Sequence, residues 1–117
     1  MENVYNFVKN WIKVWNSRDI TTILSHYTDD VEVTSPMIRK SGFSDKSTLK
    51  GKEEVGRYWK EALKKFPDLN FELIDYTIGE NCITIFYISV SDLLAMETLW
   101  LDQNKKIKKV NVCYRPI

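Results

Sequence analysis

The sequence predicts an α+β fold, a curled antiparallel sheet with three helices from the N-terminal half on its concave face. Three observations carry this reading. Apolar residues recur at helical spacing in three segments before Pro67. From Leu69 onward the period drops to two and stays there through four consecutive strand-like runs. The connections between those runs are short, so neighbouring strands must run antiparallel. Amphipathic helices beside such a sheet must bury their stripes on one of its faces.

The first helix is expected over residues 4–16, with Val4, Phe7, Val8, Trp11, Val14 and Trp15 on one side and Asn3 as its cap. Asp19 caps a short second helix that presents Ile20, Ile23, Leu24 and Tyr27. A strand is expected at about 31–35, ending at Pro36, and residues 36–50 read as a polar loop at the mouth of any pocket. The third helix begins after Gly51, carries Val55, Tyr58, Trp59, Ala62, Leu63 and Phe66 inward, and stops at Pro67. In the next run the apolar phase shifts from Leu69, Phe71 and Leu73 to Ile74, Tyr76 and Ile78, which predicts a bulge. Strands at about 82–90, 93–102 and 107–115 complete the sheet. With Ser91-Asp92 as a tight turn, Phe86 pairs with Glu97, and Ile83, Ile85, Tyr87, Met96 and Trp100 share the outer face. No segment remains to cover that face, so a homodimer through it is expected.

The chain of 117 residues fits one domain, residues 1–117, and 44% hydrophobic residues suffice for one core. A net charge of +1 offers no case for nucleic acid or a membrane surface as partner. The basic run Asn104–Val110 reads as a solvated turn leading into a strand. Cys82 and Cys113 lack metal-ligand spacing, and their apolar contexts predict reduced, buried thiols. His26 is the only histidine, so no metal and no cofactor are expected, and its place at a helix end favours packing or capping. Asp29 and Asp30 lie between helix and strand, where acids make turns. No apolar run is long enough to span a bilayer, and a cytoplasmic location is the expectation.

Two residues break the apolar pattern. Glu97 lies within "LLAMETLWL" on the parity of Ala95 and Leu99, so its carboxyl group must be paired, hydrated in a cavity or protonated. Ser35 follows Val31 and Val33 on the inward parity of the first strand, so it either caps the strand end or forms part of a cavity wall. The aromatic content, 13% with four tryptophans, suits a core that doubles as cavity wall, although core packing accounts for it as well.

The segments "WIKVWNSRDITTILSHYTDDVEVTSP" and "LKGKEEVGRYWKEALKKFPDLNFEL", followed by the strand ending in "METLWLDQNKKI", resemble the nuclear transport factor 2-like superfamily in its SnoaL-like branch. The resemblance covers nearly the whole chain. It implies a cone-shaped half-barrel, usually dimeric, with an apolar pocket, on a fold that hosts isomerases, cyclases, dehydratases, epoxide hydrolases and binding modules. In the steroid isomerase branch the general base is an aspartate before the proline of the first strand, where this chain has Ser35. The oxyanion donors of that branch are a tyrosine on the first helix and a protonated aspartate on the penultimate strand. Trp11 and Glu97 stand at those positions here. The base is thus missing, and enolisation by that mechanism is not expected.

The candidate catalytic residues are therefore Glu97, as acid or base, and Ser35, as a hydrogen-bond partner. The expected lining from the helices and first strand is Trp11, Trp15, Tyr27, Val33, Met37, Tyr58 and Trp59. From the later strands it is Phe86, Leu99 and Val110. The expected partner is a small hydrophobic molecule bearing a carbonyl or hydroxyl group. An isomerase-, cyclase- or dehydratase-type enzyme and a non-catalytic ligand-binding or dimeric interaction module both remain open. The arginines fall at turns, loops or polar faces, which speaks against an Asp–Arg–Asp epoxide hydrolase site.

Overall fold

In the computed structural model, which describes residues 3–117, side-chain caps set the starts of the first two helices. Helix α1 (Val4–Asn16) begins where the Asn3 side chain accepts the Asn6 N–H, and α2 (Ile20–Leu24) where Asp19 accepts those of Thr21 and Thr22. Between them Arg18 adopts a left-handed φ of 63°. Its guanidinium donates to the carbonyls of Leu63 and Phe66, at the end of the long helix α4 (Lys52–Lys65). One turn residue thus satisfies carbonyls that α4 leaves unpaired.

Strand β1 (Tyr27–Thr34) starts four residues before the expected 31. The segment 36–50 is more ordered than a polar loop: it contains a one-turn helix α3 (Pro36–Lys40) and a short strand β2 (Thr48–Lys50). Proline at the first helical position and serine at the cap start α3. Strand β2 pairs along the free edge of β1, with the Thr34 and Thr48 hydroxyls 2.8 Å apart. Strands β3 (Glu72–Gly79), β4 (Cys82–Ile88), β5 (Leu93–Leu101) and β6 (Ile107–Pro116) complete a curved, open sheet of order β2-β1-β6-β5-β4-β3. Only β1 and β6 run parallel. Helices α1 and α4 lay their aromatic stripes on the concave face, as an α+β fold requires. No helix of the described residues is long and apolar enough to cross a membrane.

The expected bulge lies between Leu73 and Asp75, and beyond it Ile78 projects from the uncovered β3 edge, 63% exposed. The β4–β5 register differs from the expectation. The turn is a five-residue loop, with Ser89 N–H donating to the Leu93 carbonyl at 2.7 Å, and Ser91 and Asp92 both at positive φ. This odd loop moves the pairing by one residue, which reverses a strand's faces. Glu97 pairs with Ile85, and Phe86 pairs with Met96 on the convex face. Ile83, Ile85 and Tyr87 turn inward, against their expected outer placement, while Met96 and Trp100 remain outside. The cysteines correct a second expectation. Both are free, but Cys113 is exposed and Cys82 half-buried, because their parity places them on the convex face.

Candidate functional site

A cavity of about 860 Å³ opens between the concave sheet and α4. Trp15 of α1, Trp59 of α4, and Phe71 supply its aromatic wall, while Val33, Val110 and Val112 supply an aliphatic one. At the mouth are Met37 and Phe43, from α3 and the segment after it, and Val90 of the β4–β5 loop. The polar groups deep in this largely apolar space are Glu97, Ser35 and the hydroxyls of Tyr58, Tyr87 and Tyr114.

Glu97 is 5% exposed, and the Tyr87 hydroxyl donates to its Oε1 at 2.5 Å. Burial disfavours the carboxylate and pushes its pKa up to about 7, with the Tyr87 hydrogen bond pulling the other way. No lysine or arginine stands against it: the ion pairs among the described residues are Lys50–Glu32 and Lys52–Asp29, both away from the cavity. Burial pushes the Tyr58 hydroxyl up to about 12, opposed by a hydrogen bond with Ser35 and reinforced by the Glu97 charge. Tyr87 and Tyr114 are raised well above the usual phenol range, by burial first and then by Glu97. All three phenols therefore stay neutral near pH 7, and Glu97 is the one group of this cluster whose proton is in play there.

Behind the wall, Tyr27 is fully buried and its oxygen accepts the indole N–H groups of both Trp11 (3.1 Å) and Trp15 (3.2 Å). Its ring packs on Trp59 with centroids 4.8 Å apart, and Trp15 meets Trp59 edge-on at 4.9 Å. Asn16 ties the end of α1 to the strand side, donating to the Phe71 carbonyl and accepting the Phe71 N–H. These contacts fix the orientation of Trp15 and Phe71, two of the rings that reach the cavity.

The structure brings Glu97, Ser35, Trp15, Val33, Met37, Tyr58, Trp59 and Val110 together around the cavity. Four expected lining residues lie elsewhere. Trp11, Tyr27 and Leu99 are buried in the core behind the wall, and Phe86 is on the convex face because of the register. Ser35 lines the cavity, and its cap role is at a helix start beyond the strand end: its Oγ accepts the Met37 N–H as the α3 cap. His26 is half-buried outside the cavity, where its carbonyl accepts the Ile107 N–H; burial and nearby Lys106 lower its pKa. Asp29 and Asp30 are exposed. Among the described residues no three His, Cys, Asp or Glu side chains converge on a point.

Two important groups escaped the sequence reading. Tyr87 was assigned to the wrong face by the tight-turn assumption. Tyr114 shares the parity of Val110 and Val112, so continuing that alternation two residues further identifies it.

A SnoaL-like domain model matches residues 8–97. A SnoaL-like protein of unknown function from Burkholderia thailandensis is 38% identical, with 95% of this chain and 92% of that one covered, at a TM-score of 0.89. A nuclear transport factor 2-like protein of unknown function from Cytophaga hutchinsonii shares the fold at 13% identity, covering 91% and 84%, with a TM-score of 0.71. So does the epoxide hydrolase/cyclase-like enzyme SalBIII, which acts in pyran ring formation in the polyether salinomycin, at 14% identity, 95% and 89% coverage, and a TM-score of 0.75. Among proteins with curated descriptions, none matches the chain. With the family model spanning most of the sequence and a relative this similar over nearly its full length, the chain belongs to the SnoaL-like family.

Proposed function

We propose that the cavity binds a small apolar molecule bearing a carbonyl or hydroxyl group, and that Glu97 exchanges a proton with that oxygen. The observation that carries this reading is a buried, unpaired carboxyl group with a pKa of about 7, held by Tyr87 inside an otherwise apolar cavity. At neutral pH both of its forms are populated, so it can donate a proton and take one back. Isomerisation, ring closure and dehydration all need such a group, and the pyran ring formation in which SalBIII acts belongs to this range of chemistry. A second reading, binding without turnover, is favoured by one observation. The only other carboxylate of the lining is Glu61, exposed on α4, so no second buried acid serves as base at carbon.

Paired probes test the binding. 2-Naphthol should bind more tightly than naphthalene by about tenfold, the worth of one good hydrogen bond to an ionisable group. Glu97→Leu should remove the difference. Equal affinities in the wild type would refute the assignment of Glu97 as the oxygen's partner.

We also infer that a second copy covers the convex face. Neighbouring residues there form rows across β3, β4, β5 and β6: Glu72, Ile88, Leu94, Arg115, and beside them Asp75, Phe86, Met96, Cys113. Each row is acidic at its β3 end, and the first is basic at its β6 end. A twofold axis parallel to the strands, between β4 and β5, sets Phe86 on the partner's Met96 and Glu72 on the partner's Arg115. Two such sheets pack with their faces ~10 Å apart. Met96→Glu, at a position already 40% exposed, should leave the fold intact and shift sedimentation toward monomer. A wild type that is monomeric at tens of micromolar would remove this interface.

A further inference from the structure

We propose that the ligand of this cavity is an amphipathic organic anion, with its apolar body inside and a carboxylate, sulfonate or phosphate group held at the mouth. The proposal rests on the reading of the cavity as a ligand site and adds the charge of the molecule and its direction of insertion. Five cations line the cavity, Lys40 on α3 and Arg57, Lys60, Lys64 and Lys65 on α4, while Glu97 and exposed Glu61 are the acids of the lining. The whole chain carries a net charge of only +1, so positive charge is concentrated here and balanced elsewhere. None of the five enters an ion pair among the described residues; the lysines that do, Lys50 and Lys52, lie off the cavity.

Helix-end preference explains part of this arrangement. Lys40, Lys64 and Lys65 occupy last turns, where cations complement the helix dipole. It does not explain Arg57 and Lys60, which sit in the middle of α4. Nor does it explain why two separate elements direct their cations toward one opening. Charges of one sign around an apolar concavity focus the field into it and favour anions there.

The interior sets the orientation. An anion pushed to the deep end would meet the buried Glu97 carboxyl group in a region without a cation. The charged group therefore stays at the mouth, and any carbonyl or hydroxyl of the ligand points to Glu97. The volume, about 860 Å³, accommodates a body of several fused rings or an equivalent chain.

Two probes with one aromatic body test this: 8-anilinonaphthalene-1-sulfonate and its uncharged parent, N-phenyl-1-naphthylamine, titrated by fluorescence at low and high salt. The sulfonate should bind about tenfold more tightly at low salt, and the advantage should shrink as salt screens the mouth. The uncharged parent should displace it. In the double variant Lys60→Glu, Lys64→Glu, both positions being exposed, the sulfonate should lose at least about fivefold while the parent changes less than about twofold, which also reports that the cavity is folded. Equal affinity of the two probes, or sulfonate binding that excess parent does not displace, overturns the anion proposal and leaves the cavity reading standing. Failure of both probes to bind overturns the cavity reading itself.

Discussion

Glu97→Gln is expected to gain about 3 kcal/mol of stability relative to wild type between pH 4 and pH 8. The sign follows from burial. The folded-state pKa of Glu97 is raised from 4.5 to about 7, mainly by desolvation. Between those values the folded protein retains a proton that the unfolded chain has released. Stability therefore falls as pH climbs through this window, and the whole loss is present above about pH 7. Gln does not titrate, and its carbonyl accepts the same Tyr87 hydrogen bond. The neighbouring phenols, all raised, remain neutral over the range and do not mask the effect. Urea unfolding of both proteins at several pH values gives the difference directly. A constant difference would mean that Glu97 is solvated or paired with a cation in solution, and the proton-exchange role would lose its basis.

Tyr27→Phe is expected to cost about 2–6 kcal/mol, well above the loss of one ordinary hydrogen bond. A single oxygen accepts two indole N–H groups, from Trp11 and Trp15, and all three residues are buried. Removing it leaves two buried donors without a partner, each costing ~1–3 kcal/mol. The effect reaches the cavity, because Trp15 is both a donor in this cluster and part of the wall. The loss should appear in urea melts, with a change in tryptophan emission in the folded baseline. A double-mutant cycle with Trp15→Phe should show coupling, since the second change removes one of the stranded donors. A cost below about 1 kcal/mol would mean that the indoles find other acceptors.

Local rules governed what could be read before the structure. Asn3 and Asp19 cap the helices they were expected to cap, because the shape of a cap depends on only three or four successive residues. The bulge after Leu73 was visible as a phase shift in the same short window. Glu97 stood out because an acid on an apolar parity has few physically acceptable outcomes. The one-turn α3 was missed although Ser35-Pro36 is a helix start, since a turn of five residues has no periodicity to detect.

By itself, the sequence determined the helix faces, the strand alternation and the presence of a carboxyl group within an apolar surface, because each of these depends on neighbours along the chain. Tertiary structure decided which face of β4 looks inward. The β4–β5 loop closes on five residues, with Ser91 and Asp92 at positive φ, and neither is a glycine that would announce that conformation. That single register choice sends Phe86 outside and brings Tyr87 to Glu97. The depth of the aromatic residues was also decided in three dimensions. Trp11 and Trp15 share one helical stripe, but the packing of α1 on Phe71 and Tyr27 buries the first behind the wall and leaves the second in it. Helical spacing gives the direction a side chain faces, whereas the distance to the next surface depends on elements far away in the chain.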